Sequence, residues 1–122
     1  MLGSYDIIRR MSDTPLIGQV CVSCRPGMPT LTKEEIAEYM PQTPGWALSD
    51  DGKWIRRDFK FKNFKEALDF LNKVGEIAEA EGHHPDYRGG WGKLTLELTT
   101  HAIHGLSKND FILAAKTNAL LP

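Results

Sequence analysis

The chain has 122 residues, of which 41% are hydrophobic and 25% are charged, and its formal net charge is −1. That size and composition indicate one soluble globular domain and exclude a disordered chain, while the balanced charge argues against a nucleic-acid partner. No apolar run approaches the roughly 20 residues that cross a bilayer, and the N-terminus lacks a secretory signal, so we expect a cytoplasmic protein with no membrane partner.

The first 30 residues differ from the rest of the chain. Residues 1–30 show no sustained hydrophobic periodicity and contain three prolines, which predicts an irregular N-terminal arm before a folded domain at residues 31–122. Cys21 and Cys24 form a single C-x-x-C motif, but a zinc site of this kind needs a second pair of ligands, and a redox motif usually opens a helix. We therefore expect two spectator thiols in a dispensable arm, with a metal or redox role as the alternative.

The folded domain begins with a short helix and two strands. Thr32 and Glu35 form a capping box, which predicts a helix that ends near Pro41. Residues 46–49 can form a strand, and the Asp-Asp-Gly sequence at residues 50–52 is typical of a tight turn. A second strand is predicted by apolar residues on alternate positions, namely Ile55, Phe59 and Phe61.

A longer helix follows these strands. Asn63 and Glu66 make a second cap, and Gly82 is the expected end of the helix. Apolar residues between them recur at intervals of three and four, which predicts one buried face; they are Phe64, Ala67, Leu68, Leu71, Val74 and Ala78.

The C-terminal part completes the predicted fold. After a segment of loop and strand at residues 83–92, a strand with one buried face is predicted by the alternating Leu94, Leu96 and Leu98. Ser107 and Asp110 then cap a last helix. The order is α-β-β-α-β-β-α, and its hairpin-like connections predict an α+β fold with three helices on one face of a four-stranded antiparallel sheet.

The candidate chemistry lies in the four histidines, which all fall between residues 83 and 104. A single histidine is more often structural or solvated than catalytic. His83 and His84, however, precede Pro85, which keeps the backbone extended there. His101 shares strand parity with polar residues, so we expect its side chain to point away from the leucine core. A histidine loop that faces a histidine at a strand end is a plausible acid–base pocket, because imidazole titrates near neutral pH.

Other chemistries have weaker support in the sequence. A serine hydrolase would need a nucleophile turn such as G-x-S-x-G, and no such motif is present. A histidine metal site is conceivable, since His101 and His104 are three residues apart, but no H-E-x-x-H motif accompanies them. We therefore expect no metal.

One spaced pattern resembles a known family. Glu79 is followed after three residues by His83-His84-Pro85, then after five by Trp91, after nine by His101 and after eight by Asp110. This pattern resembles the signature of the pterin-4a-carbinolamine dehydratases, and the resemblance extends over residues 31–120.

The resemblance implies the fold, activity and partners of that family. The implied fold is again three helices on one face of a four-stranded antiparallel sheet. The implied activity is that of a hydro-lyase that dehydrates 4a-hydroxytetrahydropterin to quinonoid dihydropterin during tetrahydrobiopterin recycling. The pterin would be the substrate, with no cofactor. The implied partners are identical chains, in a homodimer or homotetramer, and by functional link an aromatic amino-acid hydroxylase.

The resemblance also assigns roles to residues. It implies that His83, His84 and His101 are catalytic, with Glu79, Trp91 and Asp110 in supporting positions. The implied substrate-binding segments are Gly82, His83, His84, Pro85, Thr99, Thr100, His101 and Ala102. From the residues themselves, Asp110 is more simply a helix cap and Trp91 a packing residue. Glu79 is equally well a solvated carboxylate or a group that orients a histidine.

The chain departs from the family directly after the strand histidine. Ala102 stands where relatives commonly have an acidic residue, and Ile103-His104 replaces small residues, so we expect substrate affinity or preference to differ from that of relatives. The alternative function is a non-catalytic protein on the same fold, in assembly or as a transcriptional cofactor. The complete histidine set favours the enzyme.

Overall fold

A computed structural model of the chain describes residues 15–122, so residues 1–14 of the predicted arm lie outside the described part. Three α-helices and four β-strands follow the predicted order, with α1 at Lys33–Tyr39, β1 at Ala47–Leu48, β2 at Ile55–Lys60, α2 at Phe64–Glu81, β3 at Asp86–Gly90, β4 at Lys93–Leu98 and α3 at Lys108–Asn118. This confirms the α+β prediction. None of the helices in residues 15–122 is long and apolar enough to cross a membrane.

The sheet is antiparallel throughout, with the strand order β1-β2-β4-β3. Its centre is the pair β2 and β4, which runs in register from Ile55 opposite Leu98 to Lys60 opposite Lys93. In β4 every second side chain is buried against the helices, and in β2 Ile55 and Phe59 are buried on the same face with the half-buried Arg57 between them, because side chains alternate between the two faces of a sheet. The three leucines of β4 are at most 3% exposed. The predicted alternation therefore identified the buried face.

The helix caps lie where the sequence predicts them. Thr32 and Glu35 form a reciprocal capping box at α1, and the Asn63 side chain accepts from the Glu66 N–H at α2. Gly82 ends α2 in the left-handed conformation, at φ 67°, which a glycine adopts without a steric penalty. This left-handed residue turns the chain directly before the histidine pair.

The buried face of α2 is rotated from the predicted one. Its buried residues are Ala67, Phe70, Val74 and Ala78, whereas Phe64 and Leu68 are 54% and 42% exposed. Both exposed residues line a hollow beside β3, together with Tyr87. Within residues 15–122 the sheet ends at β3, so no further strand of this part of the chain covers that flank of the helix.

The arm from residue 15 to residue 30 is largely irregular, but it packs tightly on the domain. Leu16 lies in the hydrophobic core at 1% exposure, and its N–H donates to Gln42 Oε1 over 3.0 Å. Further along, the Cys21 N–H donates to Glu81 Oε1 over 2.8 Å. This packing argues against the expectation that the arm is dispensable, because a low-periodicity segment can still contribute single buried side chains.

Glu81 joins the arm to two helices. Its second oxygen accepts from Lys116 Nζ over 2.5 Å, and these hydrogen bonds hold the pKa of the Glu81 carboxyl below its usual range. A lowered folded-state pKa stabilises the fold above the ordinary carboxyl pKa, and this stabilisation is lost as the pH falls through the lowered value. Burial, followed by the negative charge of Glu81, raises the pKa of the Cys21 thiol to about 12, so Cys21 is protonated at neutral pH.

The burial of Leu16 gives a direct test of the arm. Leu16→Ala should lower the free energy of unfolding by about 2–5 kcal/mol, the range for a leucine truncated in a packed core. Ile17→Ala is the matched control, because Ile17 is 49% exposed, and it should change stability by about 0.5 kcal/mol or less. Urea unfolding followed by circular dichroism measures both. If Leu16→Ala changes the free energy of unfolding as little as Ile17→Ala does, the packing of the arm does not stabilise the domain.

Candidate active site

Four segments of the chain meet at one small cavity of about 250 Å³. They are the residues after α2, the residues after β4, the first turn of α3 and the arm. The lining residues are Val22, Ser23, Cys24, Gly82, His83, His84, Thr99, Thr100, His101, Ala102 and Asn109. Larger hollows of about 550, 750 and 720 Å³ lie elsewhere on the surface, but this cavity brings three of the four histidines together.

His83 is the most firmly fixed histidine of the cavity. Its side chain is 11% exposed, and its Nε2 lies 2.6 Å from Asp110 Oδ1. Asp110 itself has no exposed surface. Because a buried carboxylate needs hydrogen-bond partners, this contact and the other contacts of Asp110 fix the orientation of the imidazole.

The second oxygen of Asp110 ties three elements together. Oδ2 accepts from Thr100 Oγ1 over 2.8 Å and from the Ser107 N–H over 3.0 Å. The hydroxyls of Thr100 and Ser107 are in turn 2.6 Å apart. Asp110 therefore caps α3, as the sequence predicts, and also holds the histidine, so one side chain has both roles.

His84 contacts a different carboxylate and is exposed. Its Nε2 lies 2.5 Å from Glu79 Oε2, with the two side chains 58% and 79% exposed. The sequence left open whether Glu79 is a solvated carboxylate or orients a histidine. The structure shows both at once, since Glu79 contacts His84 while remaining largely solvated. An exposed pair of this kind contributes about 0–1 kcal/mol to stability, so its main effect is on ring orientation.

His101 lies at the open side of the cavity, at 70% side-chain exposure. Its ring meets Trp54 edge to face at a centroid distance of 5.6 Å, and its Nε2 is 3.9 Å from Asp86 Oδ2. Sequence reasoning missed Trp54 and Asp86 as neighbours of this histidine. They stand just before β2 and at the first residue of β3, where only the pairing of these strands with β4 brings them close.

The exposure of His101 has a different cause from the predicted strand parity. β4 ends at Leu98, and the next two residues, Thr99 and Thr100, are both buried, at 6% and 4% exposure. Alternation therefore stops before His101, which opens a short 3₁₀ turn at His101–Ile103. Burial of these two threonines is tolerated because both hydroxyls have hydrogen-bond partners. Thr99 Oγ1 donates to the Lys53 carbonyl over 2.6 Å, and Thr100 Oγ1 donates to Asp110.

Other predicted residues lie at the edge of the cavity or away from it. Ala102 is part of the lining, whereas Pro85 is outside it. Trp91 is at the turn between β3 and β4 and is 71% exposed, so the single chain neither packs it nor brings it to the histidines. His104 ends the 3₁₀ turn in a left-handed conformation, at φ 58°, and lines a separate hollow. Within residues 15–122 no three His, Cys, Asp or Glu side chains are grouped to hold a metal ion.

Sequence reasoning also missed the arm as part of the cavity. Val22, Ser23 and Cys24 line it, and Asn109 fixes them from the first turn of α3. The C-x-x-C motif therefore ends beside the histidines, although neither cysteine forms a disulfide. The sequence gives one indication of this contact, namely that Asn109 directly precedes Asp110 of the signature pattern.

The double role of Asp110 predicts a stability cost greater than that of a cap. Asp110→Ala removes the cap of α3, which costs about 0.5–2 kcal/mol. It also leaves buried donors without a partner, each at about 1–3 kcal/mol. Thr32→Ala at the exposed cap of α1 is the control and should show the cap cost alone. Urea unfolding of both variants measures the difference. Equal losses in the free energy of unfolding would show that Asp110 contributes to stability only as a helix cap.

Comparison with known proteins places these residues in one family. A family profile described as pterin 4 alpha carbinolamine dehydratase matches residues 29–120. A protein of Aromatoleum aromaticum named "putative pterin-4-alpha-carbinolamine dehydratase" is 50% identical over 112 residues, which cover 92% of this chain and 99% of the relative. A protein of Methylococcus capsulatus with the same name is 48% identical over 110 residues, covering 90% of this chain and 96% of the relative.

A solved structure is also similar. The crystal structure described as a transcriptional coactivator/pterin dehydratase from Brucella melitensis superposes with a TM-score of 0.73 at 32% sequence identity. It covers 77% of this chain and 100% of that one. The arrangement of helices and strands described above is therefore shared with a solved member of this group.

Proposed function

The chain belongs to the pterin 4 alpha carbinolamine dehydratase family, and on this premise we propose that it removes water from a 4a-hydroxytetrahydropterin to give quinonoid dihydropterin. The observation that carries the proposal is the cavity at which His83, His84 and His101 meet, with one of them fixed by the buried Asp110. The pterin is the substrate, and the proposed reaction consumes no cofactor.

The reaction is an elimination that needs two proton transfers. The bond between C4a and the hydroxyl oxygen breaks, and the oxygen leaves as water after it receives a proton. The nitrogen N5 loses its proton, and its electrons form the double bond to C4a. No electrons enter or leave the pterin overall, so positioned general acids and bases are sufficient, each contributing about 10²–10⁴-fold to the rate.

His83 and His101 are proposed to carry out these two proton transfers. The buried Asp110 contact keeps the His83 ring in one orientation, which a positioned acid or base requires. His101 is exposed and sits on a short turn, so its ring is accessible to a substrate that enters from solvent. His84, oriented by Glu79, is proposed to hold the pterin and its hydroxyl.

The cellular setting follows from the proposed reaction. A 4a-hydroxytetrahydropterin is what an aromatic amino-acid hydroxylase would release, so we place the enzyme in tetrahydrobiopterin recycling in the cytoplasm. Its functional link to the hydroxylase is that the hydroxylase would release the pterin on which this enzyme acts. The non-catalytic alternative has one observation in its favour, because the Brucella melitensis structure is described partly as a transcriptional coactivator.

We further propose that the protein forms a homodimer or homotetramer. All five residues of β3 are exposed, and this edge strand leaves backbone donors and acceptors free for another strand. Beside it lies an apolar patch of three exposed side chains, Phe64, Leu68 and Tyr87. A second copy of the chain that pairs along β3 would cover both features.

The histidine assignment predicts a graded loss of activity. His83→Ala and His101→Ala should each lower turnover by about 10²-fold or more, the usual contribution of a general acid or base. His104→Ala is the matched control, because His104 lies outside the cavity, and it should have a much smaller effect. The double variant at His83 and His101 should be little worse than the poorer single one, since residues that act as a unit are not additive.

The assay generates 4a-hydroxytetrahydropterin in situ and follows the formation of quinonoid dihydropterin. Activity should survive exhaustive treatment with EDTA. Loss of activity that Zn²⁺ restores would replace the proposed mechanism with a metal-dependent one. A folded wild-type protein with no activity on this substrate would favour the non-catalytic alternative.

The apolar patch predicts how the oligomer can be broken. Leu68→Glu should shift the protein towards the monomer, because a charge would have to be buried in the proposed interface. Val20→Glu is the control, since Val20 is 69% exposed on the arm, and it should leave the oligomer intact. Multi-angle light scattering at micromolar concentration measures both. A wild-type monomer would contradict the proposal.

A further inference from the structure

The arm contributes a wall of the histidine cavity that the resemblance does not assign. Val22, Ser23 and Cys24 line this cavity together with the segments that carry the histidines. Three residues of an otherwise irregular segment thus have a defined place beside the candidate active site.

Asn109 holds this segment by its backbone. Its side-chain Oδ1 accepts from the Val22 N–H over 3.0 Å, and its Nδ2 donates to the Val22 carbonyl over 2.5 Å. The side-chain amide of Asn109 therefore forms hydrogen bonds with both the N–H and the carbonyl of Val22. Asn109 is only 4% exposed, so its side-chain amide could not exchange these contacts for water without opening the structure.

Further contacts hold the segment on either side of Val22. The Cys21 N–H donates to Glu81, and the Cys21 thiol lies 3.7 Å from the Asn109 carbonyl. On the other side, Asn109 Nδ2 is 3.5 Å from Cys24 Sγ. The arm is thus anchored from both of the helices that carry groups of the cavity, and it has a single register there.

The position of Asn109 couples this wall to the chemistry. Asp110, the next residue of the same helical turn, holds His83. The first turn of α3 therefore fixes both the buried histidine and the wall formed by residues 22–24. Three of the eleven residues that line this cavity of about 250 Å³ belong to the arm, so this wall is a substantial share of the contact surface.

We propose that Asn109 is a positioning residue that holds residues 22–24 as a wall of the pterin site, so that the arm takes part in substrate binding. This inference rests on the proposed dehydratase function. Asn109 also reaches the cavity lining, but its proposed role is to act through the arm that it holds. Its loss weakens pterin binding and raises KM, while kcat stays within a few-fold because His83 keeps its own carboxylate partner.

The first experiment measures by calorimetry the affinity for 7,8-dihydrobiopterin, a pterin that has no 4a-hydroxyl and so cannot undergo the proposed elimination. Asn109→Ala should raise its Kd about ten-fold or more, with a matching rise in KM for the carbinolamine. Asn118→Ala is the matched control. Asn118 lies at the other end of α3 and accepts from the Trp46 indole N–H over 2.9 Å, so this variant also loses a partly buried hydrogen bond, but it should leave Kd unchanged.

The second experiment uses Cys24 as a reporter in a Cys21→Ala protein, where it is the single remaining thiol. The rate at which a thiol reagent modifies Cys24 should fall when 7,8-dihydrobiopterin is saturating. This test requires no change at Asn109, so it stands even where Asn109→Ala fails to fold. In Asn109→Ala, modification should be faster and protection by the pterin weaker.

The outcomes separate the two proposals. If wild-type protein binds 7,8-dihydrobiopterin but Cys24 is not protected, or if Asn109→Ala binds it with unchanged Kd, the role of the arm is overturned and the dehydratase proposal stands. If wild-type protein binds no pterin and has no dehydratase activity, both proposals fail. Protection of Cys24 together with weaker binding by Asn109→Ala supports the inference.

Discussion

The carboxylate of Asp110 accepts three contacts with no exposure to solvent, from His83, Thr100 and the Ser107 backbone. These partners come from the end of α2, the end of β4 and the start of α3. A buried carboxylate is tolerated only when its oxygens are satisfied, so the three segments must keep their relative positions. The shape of the candidate active site depends on this one group.

The cavity combines a fixed histidine with an accessible one. His83 is nearly buried and oriented by Asp110, whereas His101 is largely exposed and contacts Trp54 by its ring edge. Proton transfer to a substrate benefits from one ring that does not need to reorganise, and substrate entry benefits from an open side. The proposed elimination requires one donor and one acceptor, and the two environments supply two distinct imidazoles for those roles.

The arm shows how a segment without secondary structure becomes part of a fold. Leu16 is buried in the core, while Cys21 and Val22 are hydrogen-bonded to the side chains of Glu81 and Asn109. Its prolines and lack of periodicity predict an irregular path. They did not indicate whether that path is packed, because burial of single side chains depends on what lies opposite, and a local pattern contains no such information.

The sequence by itself determined the elements and the fold class, because caps such as Thr32–Glu35 and Asn63–Glu66 and the alternating leucines of β4 are local signals. Its spaced histidine pattern also indicated the family. Only the tertiary structure decided which groups face those histidines. The strand order set Trp54 and Asp86 beside His101, and the packing of α3 against the arm set Asn109 beside Val22. These contacts join residues far apart in the chain, and they follow from strand pairing and packing, which no single window of sequence specifies.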